Sequence, residues 1–176
     1  MIRTLVAMSI AIGFVLPVHA QQNRAKLDAP GKVAFGTSFE QAQKLLGADA
    51  EVYEIDPPQR GMKALLCDKC APLPNVEGLT LWFRDKDGLI RIEAFAIAGM
   101  FKTVDACQKS DTDMLPKLIE QFGKPDANRN AKQGDESTRT ATFRFADGSA
   151  IEHVSSISGD EIPCTFTVSY KSKASR

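Results

Sequence analysis

Cys67-Asp68-Lys69-Cys70 is the stretch whose residue types and spacing most directly suggest chemistry. Two cysteines three positions apart can exchange a disulfide, ligate a metal or close a structural bridge. A redox-active pair needs its first cysteine at a helix N-terminus, where the dipole lowers the thiol pKa. Here Ala71-Pro72-Leu73-Pro74 follows, and alternating prolines cannot continue a helix past its first turn. A c-type haem attachment needs histidine directly after the second cysteine, and position 71 is alanine. A four-cysteine zinc site with Cys107 and Cys164 has the right ligand count, but an oxidising compartment favours disulfides over thiolates. Four cysteines allow three connectivities. Cys67–Cys70 and Cys107–Cys164 are expected, because the first pair sits in one turn and Cys164 faces a core.

The remaining chemistry-bearing residues read as structural. His153 has no nucleophile beside it, and its neighbour Glu152 points to the opposite face of a strand, so a surface or half-buried role is expected. Ser155, Ser156 and Ser158 lack the strand–turn–helix context of a nucleophile elbow. Asp85, Asp87, Asp147 and Asp160 fall in Gly-flanked turn segments and are explained as turn residues without calcium. No catalytic residue, metal or cofactor is therefore expected. Trp82 shares a strand face with Thr80 and Arg84. It is either a second core contact or an exposed anchor for a partner, the kind of residue that carries binding energy at interfaces.

These residues sit in a chain addressed for export. Met1-Ile2-Arg3, the apolar Leu5–Val18 and Val18-His19-Ala20 have the form of a secretory signal peptide over residues 1–20, with cleavage before Gln21. Its apolar core is shorter than the ~20 residues a membrane helix needs, and Gln21 in place of cysteine argues against a lipid anchor. A periplasmic or secreted protein is expected. Removing residues 1–20 from the 176-residue chain leaves 156 residues, enough for one substantial core. The mature chain loses one cation and keeps a near-neutral balance, whereas nucleic acid and anionic membranes select strong positive charge.

The elements follow from periodicity. Thr37-Ser38-Phe39-Glu40 has the form of a capping box, and Phe39, Ala42, Leu45 and Leu46 continue at helical spacing to Gly47. Leu79, Leu81 and Phe83 alternate as one strand, Asp87-Gly88 reverses the chain, and Ile90, Ile92, Ala94 and Ala96 form the returning face. Met114, Leu115, Leu118, Ile119 and Phe122 make a second helical stripe ending at Gly123-Lys124-Pro125. Pro116 is tolerated in a helix's first turn, which places this helix's N-cap at Thr112 or Asp113. Arg139–Phe145 and Ser149–Ile157 form a second hairpin around Asp147-Gly148. Cys164, Phe166, Val168 and Tyr170 share the inner face of a last strand. Residues 21–32 read as a flexible lead-in, 126–136 as undetermined, and 171–176 as a frayed tail.

Helix, glycine stop and Asp-Gly hairpin thus occur twice. The expected fold is an α+β domain over residues 33–170, with two helix-plus-antiparallel-hairpin units (about 33–98 and 99–170) sharing a layered sheet with helices on one face. Thr37-Ser38-Phe39-Glu40 with Leu45-Leu46-Gly47, and Leu118-Ile119-Glu120-Gln121-Phe122-Gly123-Lys124-Pro125, resemble the outer-membrane assembly lipoprotein family (SmpA/BamE). The tandem arrangement resembles the β-lactamase inhibitor protein fold. The resemblance implies a binding module and transfers no functional residue. Two functions are therefore carried forward. The first is an exported, non-catalytic module binding another envelope protein or peptide. The alternative is a thiol–disulfide or metal-handling protein using Cys67 and Cys70.

Overall fold

A computed structural model describes residues 24–47, 52–55, 61–67, 70, 76, 78–97, 104–158 and 164–175; side chains at 52–55, 96, 97, 104 and 107 lie outside that description. The expected signal peptide also lies outside the described residues. The elements are α1 (Phe39–Leu46), β1 (Val52–Ile55), β2 (Met62–Cys67), β3 (Gly78–Arg84), β4 (Gly88–Ile97), α2 (Val104–Phe122), β5 (Ala127–Gln133), β6 (Glu136–Arg144), β7 (Ala150–Ile157) and β8 (Cys164–Lys171).

All strands among the described residues belong to one antiparallel sheet in the order β1-β2-β3-β4-β8-β7-β6-β5. This corrects the expected α+β arrangement of two helix-plus-hairpin units. The protein is sheet-dominated, and the two hairpins are inner segments of longer meanders joined by the central β4–β8 pair. The sequence hid the difference because β5 is an edge strand of polar residues, exposed along nearly its whole length. Such a strand buries neither face and shows no alternation. Its Arg129 and Lys132 suit an edge that must not recruit another strand.

Both helices pack on one sheet face. Phe39, Ala42 and Leu46 of α1 and Met114 and Leu118 of α2 share a core with the inward residues of β2, β3, β4, β6, β7 and β8. The cap of α1 sits one residue later than expected: Ser38 is the N-cap, its hydroxyl accepts from the Gln41 backbone N–H at 3.2 Å, and Gln41 accepts from Ser38 N–H. Leu45 faces solvent. Helix α2 begins at Val104, well before the expected Thr112 or Asp113, and holds Pro116 in its interior. An internal proline forfeits a helix hydrogen bond, so this helix relies on its anchorage to the sheet. Gly123, with φ 74°, ends it.

The returning strand also departs from strict alternation. Trp82 pairs with Arg91 while Phe83 pairs with Leu89, so Ile90 is the extra residue of a β-bulge. The bulge turns Ile90 to the face opposite Ile92 and Ala94, where it meets Trp82. Two terminal segments expected to be loose are bonded into the fold. Arg24 O and Ala25 O accept from Ala146 and Asp147 N–H, and Leu27 is buried. At the other end Ser172 N–H donates to Ile90 O, and Lys173–Ser175 forms a 3-10 turn.

Glycine is required at the first hairpin for two reasons. Gly88 has φ 64°, and a Cβ there collides with the Gly36 carbonyl and meets Thr37 O at 2.6 Å. Gly134 has a similar φ of 59° with nothing within 4 Å. Gly134→Ala is therefore expected to cost the left-handed strain alone, about 1–2 kcal/mol. Gly88→Ala adds a backbone collision, and thermal unfolding is expected to show at least twice the loss. Equal losses in the two variants would contradict the close approach of the Gly36–Thr37 loop.

Candidate functional site

Opposite the helices, the sheet presents a face that neither of them covers. Cross-strand register orders it in rows. Arg129, Thr140, Val154, Thr167 and Phe95 stand in one row, and Thr142, Glu152, Ser169, Glu93 and Thr80 in the next. Arg144, Ala150, Lys171, Arg91 and Trp82 form a third. Hydroxyl and small side chains dominate the first two rows. Thr140, Thr142, Val154, Thr167 and Phe95 are all half-buried, leaving a low surface with two apolar side chains set among hydroxyls.

Trp82, Thr80 and Arg84 do share this face, but not as an exposed trio. Trp82 is 8% exposed. Its indole N–H donates to Glu93 Oε2 at 2.7 Å, and the Arg91 guanidinium lies 4.8 Å from its ring centroid. Ala64, Ile90, Met62 and Ala174 complete a small apolar cluster around it. Arg84 donates to Ala174 O at 2.8 Å, fastening the C-terminal turn beside this cluster. Thr80 is buried as well. Of the two roles open to Trp82, the structure gives it the core contact, and the bulge at Ile90 and the C-terminal turn provide its cover.

Cys67 ends β2 and forms a disulfide with Cys70, Cα to Cα 5.6 Å. Cys67 is 0% exposed and belongs to the main core, with Cys70 half-buried against it. Cys67 therefore lacks the exposure that activates a redox thiol. Cys164 is buried and also disulfide-bonded. The side chain of Cys107 lies outside the description, so its expected pairing with Cys164 is carried as a proposal. Non-reducing peptide mapping is expected to give Cys67–Cys70 and Cys107–Cys164. On chain-entropy grounds Cys67→Ala then costs about 2 kcal/mol and Cys107→Ala about 4 kcal/mol, the second closing a loop of roughly 57 residues. A cross-linked pairing, or the reverse order of losses, contradicts this.

The structure also assembles a charged cluster that periodicity alone did not reveal. Asp111 of α2 lies between Arg139 of β6, whose Nη2 is 2.9 Å from Oδ2, and His153 of β7, whose Nε2 is 3.0 Å from Oδ1. His153 is 0% exposed, deeper than the surface or half-buried position expected of it. Glu152 does point to the other face, where its carboxylate pairs with Lys171 at 2.5 Å. Ser110 and Ser155 are buried nearby in sequence. The cluster is a clamp between helix and sheet. One carboxylate serves two strands, and α2, weakened by Pro116, gains polar anchorage in addition to Met114 and Leu118.

Among the described residues, no group of three or more histidine, cysteine, aspartate or glutamate side chains is placed to hold a metal. No family model, curated protein or solved structure matches the chain. The functional reading therefore rests on the geometry of the sheet and not on the resemblance of the two short helical segments.

Proposed function

We propose that this chain is an exported, non-catalytic binding protein that holds an extended segment of another envelope protein, or a peptide, on the uncovered face of its sheet. The supporting observation is the row Arg129–Thr140–Val154–Thr167–Phe95, in which hydroxyl and apolar side chains follow one arginine at the sheet edge, with the carboxylates Glu152 and Glu93 confined to the row on one side. Half-buried Val154 at its centre and Phe95 at its end offer apolar contact and the hydroxyls offer hydrogen bonds, the mixture found in non-obligate interfaces. Size favours a peptide over a second copy of the chain. Five strands about 4.8 Å wide and seven residues at about 3.3 Å rise enclose roughly 550 Å², below the approximately 800 Å² per partner of a stable complex.

Position-specific cross-linking in the exporting cell tests this reading. A photoreactive residue at Thr140 or Thr167 is expected to capture one discrete partner, and one at Glu120, exposed on α2, to capture none. Equal capture from both surfaces rejects the proposal. The thiol–disulfide alternative is weakened by the burial of Cys67. Redox titration is expected to place the Cys67–Cys70 couple below about −300 mV, where structural bridges of exported proteins lie. A value above about −250 mV, with rapid alkylation of one thiol at pH 6, restores that alternative.

A further inference from the structure

We infer that the uncovered face carries, at the end nearest the C-terminal turn, a pocket that binds a single carboxylate. A cavity of about 500 Å³ lies there, lined by Arg144, Ala150, Lys171, Glu152, Thr142 and Ser172 among others. Register explains its shape. Arg144 pairs with Ala150, and Ala150 with Lys171. The two cations thus stand two strands apart, about 10 Å, with only a methyl group between them as floor.

The charges define the ligand. Glu152 Oε2 lies 2.5 Å from Lys171 Nζ and neutralises it. One net positive charge then remains on the lining, and it belongs to Arg144. A guanidinium presents a planar fork that matches a carboxylate in bidentate fashion. Ser172 Oγ, on the same wall, is buried without a hydrogen-bond partner, and Thr142 supplies a second hydroxyl. A phosphomonoester carries about −1.5 to −2 at neutral pH and sets its excess charge against Glu152. The lining selects the monoanion. This assignment stands apart from the peptide reading, because a free carboxylate needs no contact with Val154 or Phe95.

Amide NMR titration of the full mature chain tests the pocket. N-acetylglycine is expected to shift Gly148, Ala150, Lys171 and Ser172 at millimolar concentration, and N-acetylglycinamide to shift none of them. Arg144→Gln is expected to weaken the response about tenfold, the loss of one charge-assisted pair. Ala150→Leu, on a half-buried surface position that tolerates the larger side chain, fills the floor and abolishes it. Val154→Arg leaves it intact even if peptide docking fails. Acetyl-triglycine binding tighter than N-acetylglycine identifies the ligand as a peptide C-terminus, and equal binding identifies a free small acid; either supports the pocket. A response that survives Ala150→Leu, equal shifts with the amide, or inorganic phosphate binding more tightly than the carboxylate overturns it.

Discussion

Replacing Asp111 with alanine is expected to destabilise the protein by about 3 kcal/mol, because it strands two partners at once. Asp111 takes Arg139 Nη2 at 2.9 Å and lies 3.0 Å from His153 Nε2. His153 has no exposed surface, neither ring nitrogen makes a hydrogen bond, and the close approach of Nε2 to the Asp111 carboxylate is an electrostatic contact. Removing one member of a buried polar pair costs the desolvation of the group that remains, in the range of about 3–5 kcal/mol. The half-exposed Arg139 recovers water and keeps the loss at the lower end. In a chain of this size the expected fall in melting temperature is about 6–12 °C. Asp113→Ala is the control. Its carboxylate meets Lys109 Nζ at 3.2 Å on the exposed side of the same helix, a pair worth about 0.3–0.5 kcal/mol. Similar losses at positions 111 and 113 would contradict the clamp.

Arg24→Ala carries the second large effect. Arg24 Nε and Nη2 donate to the Phe122 and Lys124 carbonyls, and Nη1 to Asp126 Oδ2 at 2.7 Å. The guanidinium carbon also lies 5.3 Å from the centroid of Phe143. One side chain therefore satisfies carbonyls at the C-terminus of α2, where no helical donor remains, and covers a core ring. Its loss is expected to cost about 2–4 kcal/mol, with several hydrogen bonds to a charged group at about 1.5–3 kcal/mol each, offset in part by water. Arg24→Lys is expected to recover less than half, since an ammonium cannot span three acceptors as a fork does. Hydrogen exchange localises the effect to residues 119–127 and 144–147. A uniform change across the sheet contradicts this placement.

How much of the fold is legible in the sequence depends on where the periodic signal is strong. The inner strands β6, β7 and β8 carry an alternation of buried and less buried residues and are readable, as is the inward placement of Cys164. Strand β3 is readable from its alternating apolar residues although both of its faces are buried. Strand β5 is not, because an edge strand wet on both faces has no pattern to read. The proline in α2 reads as a boundary and is not one. Its cost is a local preference that packing of Met114, Leu118 and Asp111 overrides. The bulge at Ile90 is invisible because one inserted residue leaves the apolar composition unchanged and alters only which face it meets.

The charged clamp does leave a signal in the sequence, of a kind that single-element periodicity overlooks. Asp111 falls three residues before Met114 and seven before Leu118, on the apolar stripe of α2. His153 alternates with Ile151, and Arg139 with Ala141 and Phe143. Three charged or polar residues at core-facing positions of three elements break the pattern together, and such joint breaks mark groups that need one another. Trp82 illustrates the opposite limit. A face is readable from alternation, but the cover on that face comes from Arg84, the bulge and the C-terminal turn, which are distant in sequence.

Cross-link yield at Thr167 reports on whether the proposed partner sits on the uncovered face. The comparison is between the wild-type chain, Val154→Arg on the proposed surface and Lys117→Glu on the exposed side of α2. Val154 and Thr167 are cross-strand neighbours, so a guanidinium at 154 obstructs the centre of the band without entering the core. Val154→Arg is expected to cut the yield about tenfold or more, equivalent to about 1.4 kcal/mol of binding, while Lys117→Glu leaves it unchanged and both variants keep the wild-type melting temperature. An undiminished yield in a folded Val154→Arg protein, or an equal drop in Lys117→Glu, contradicts it.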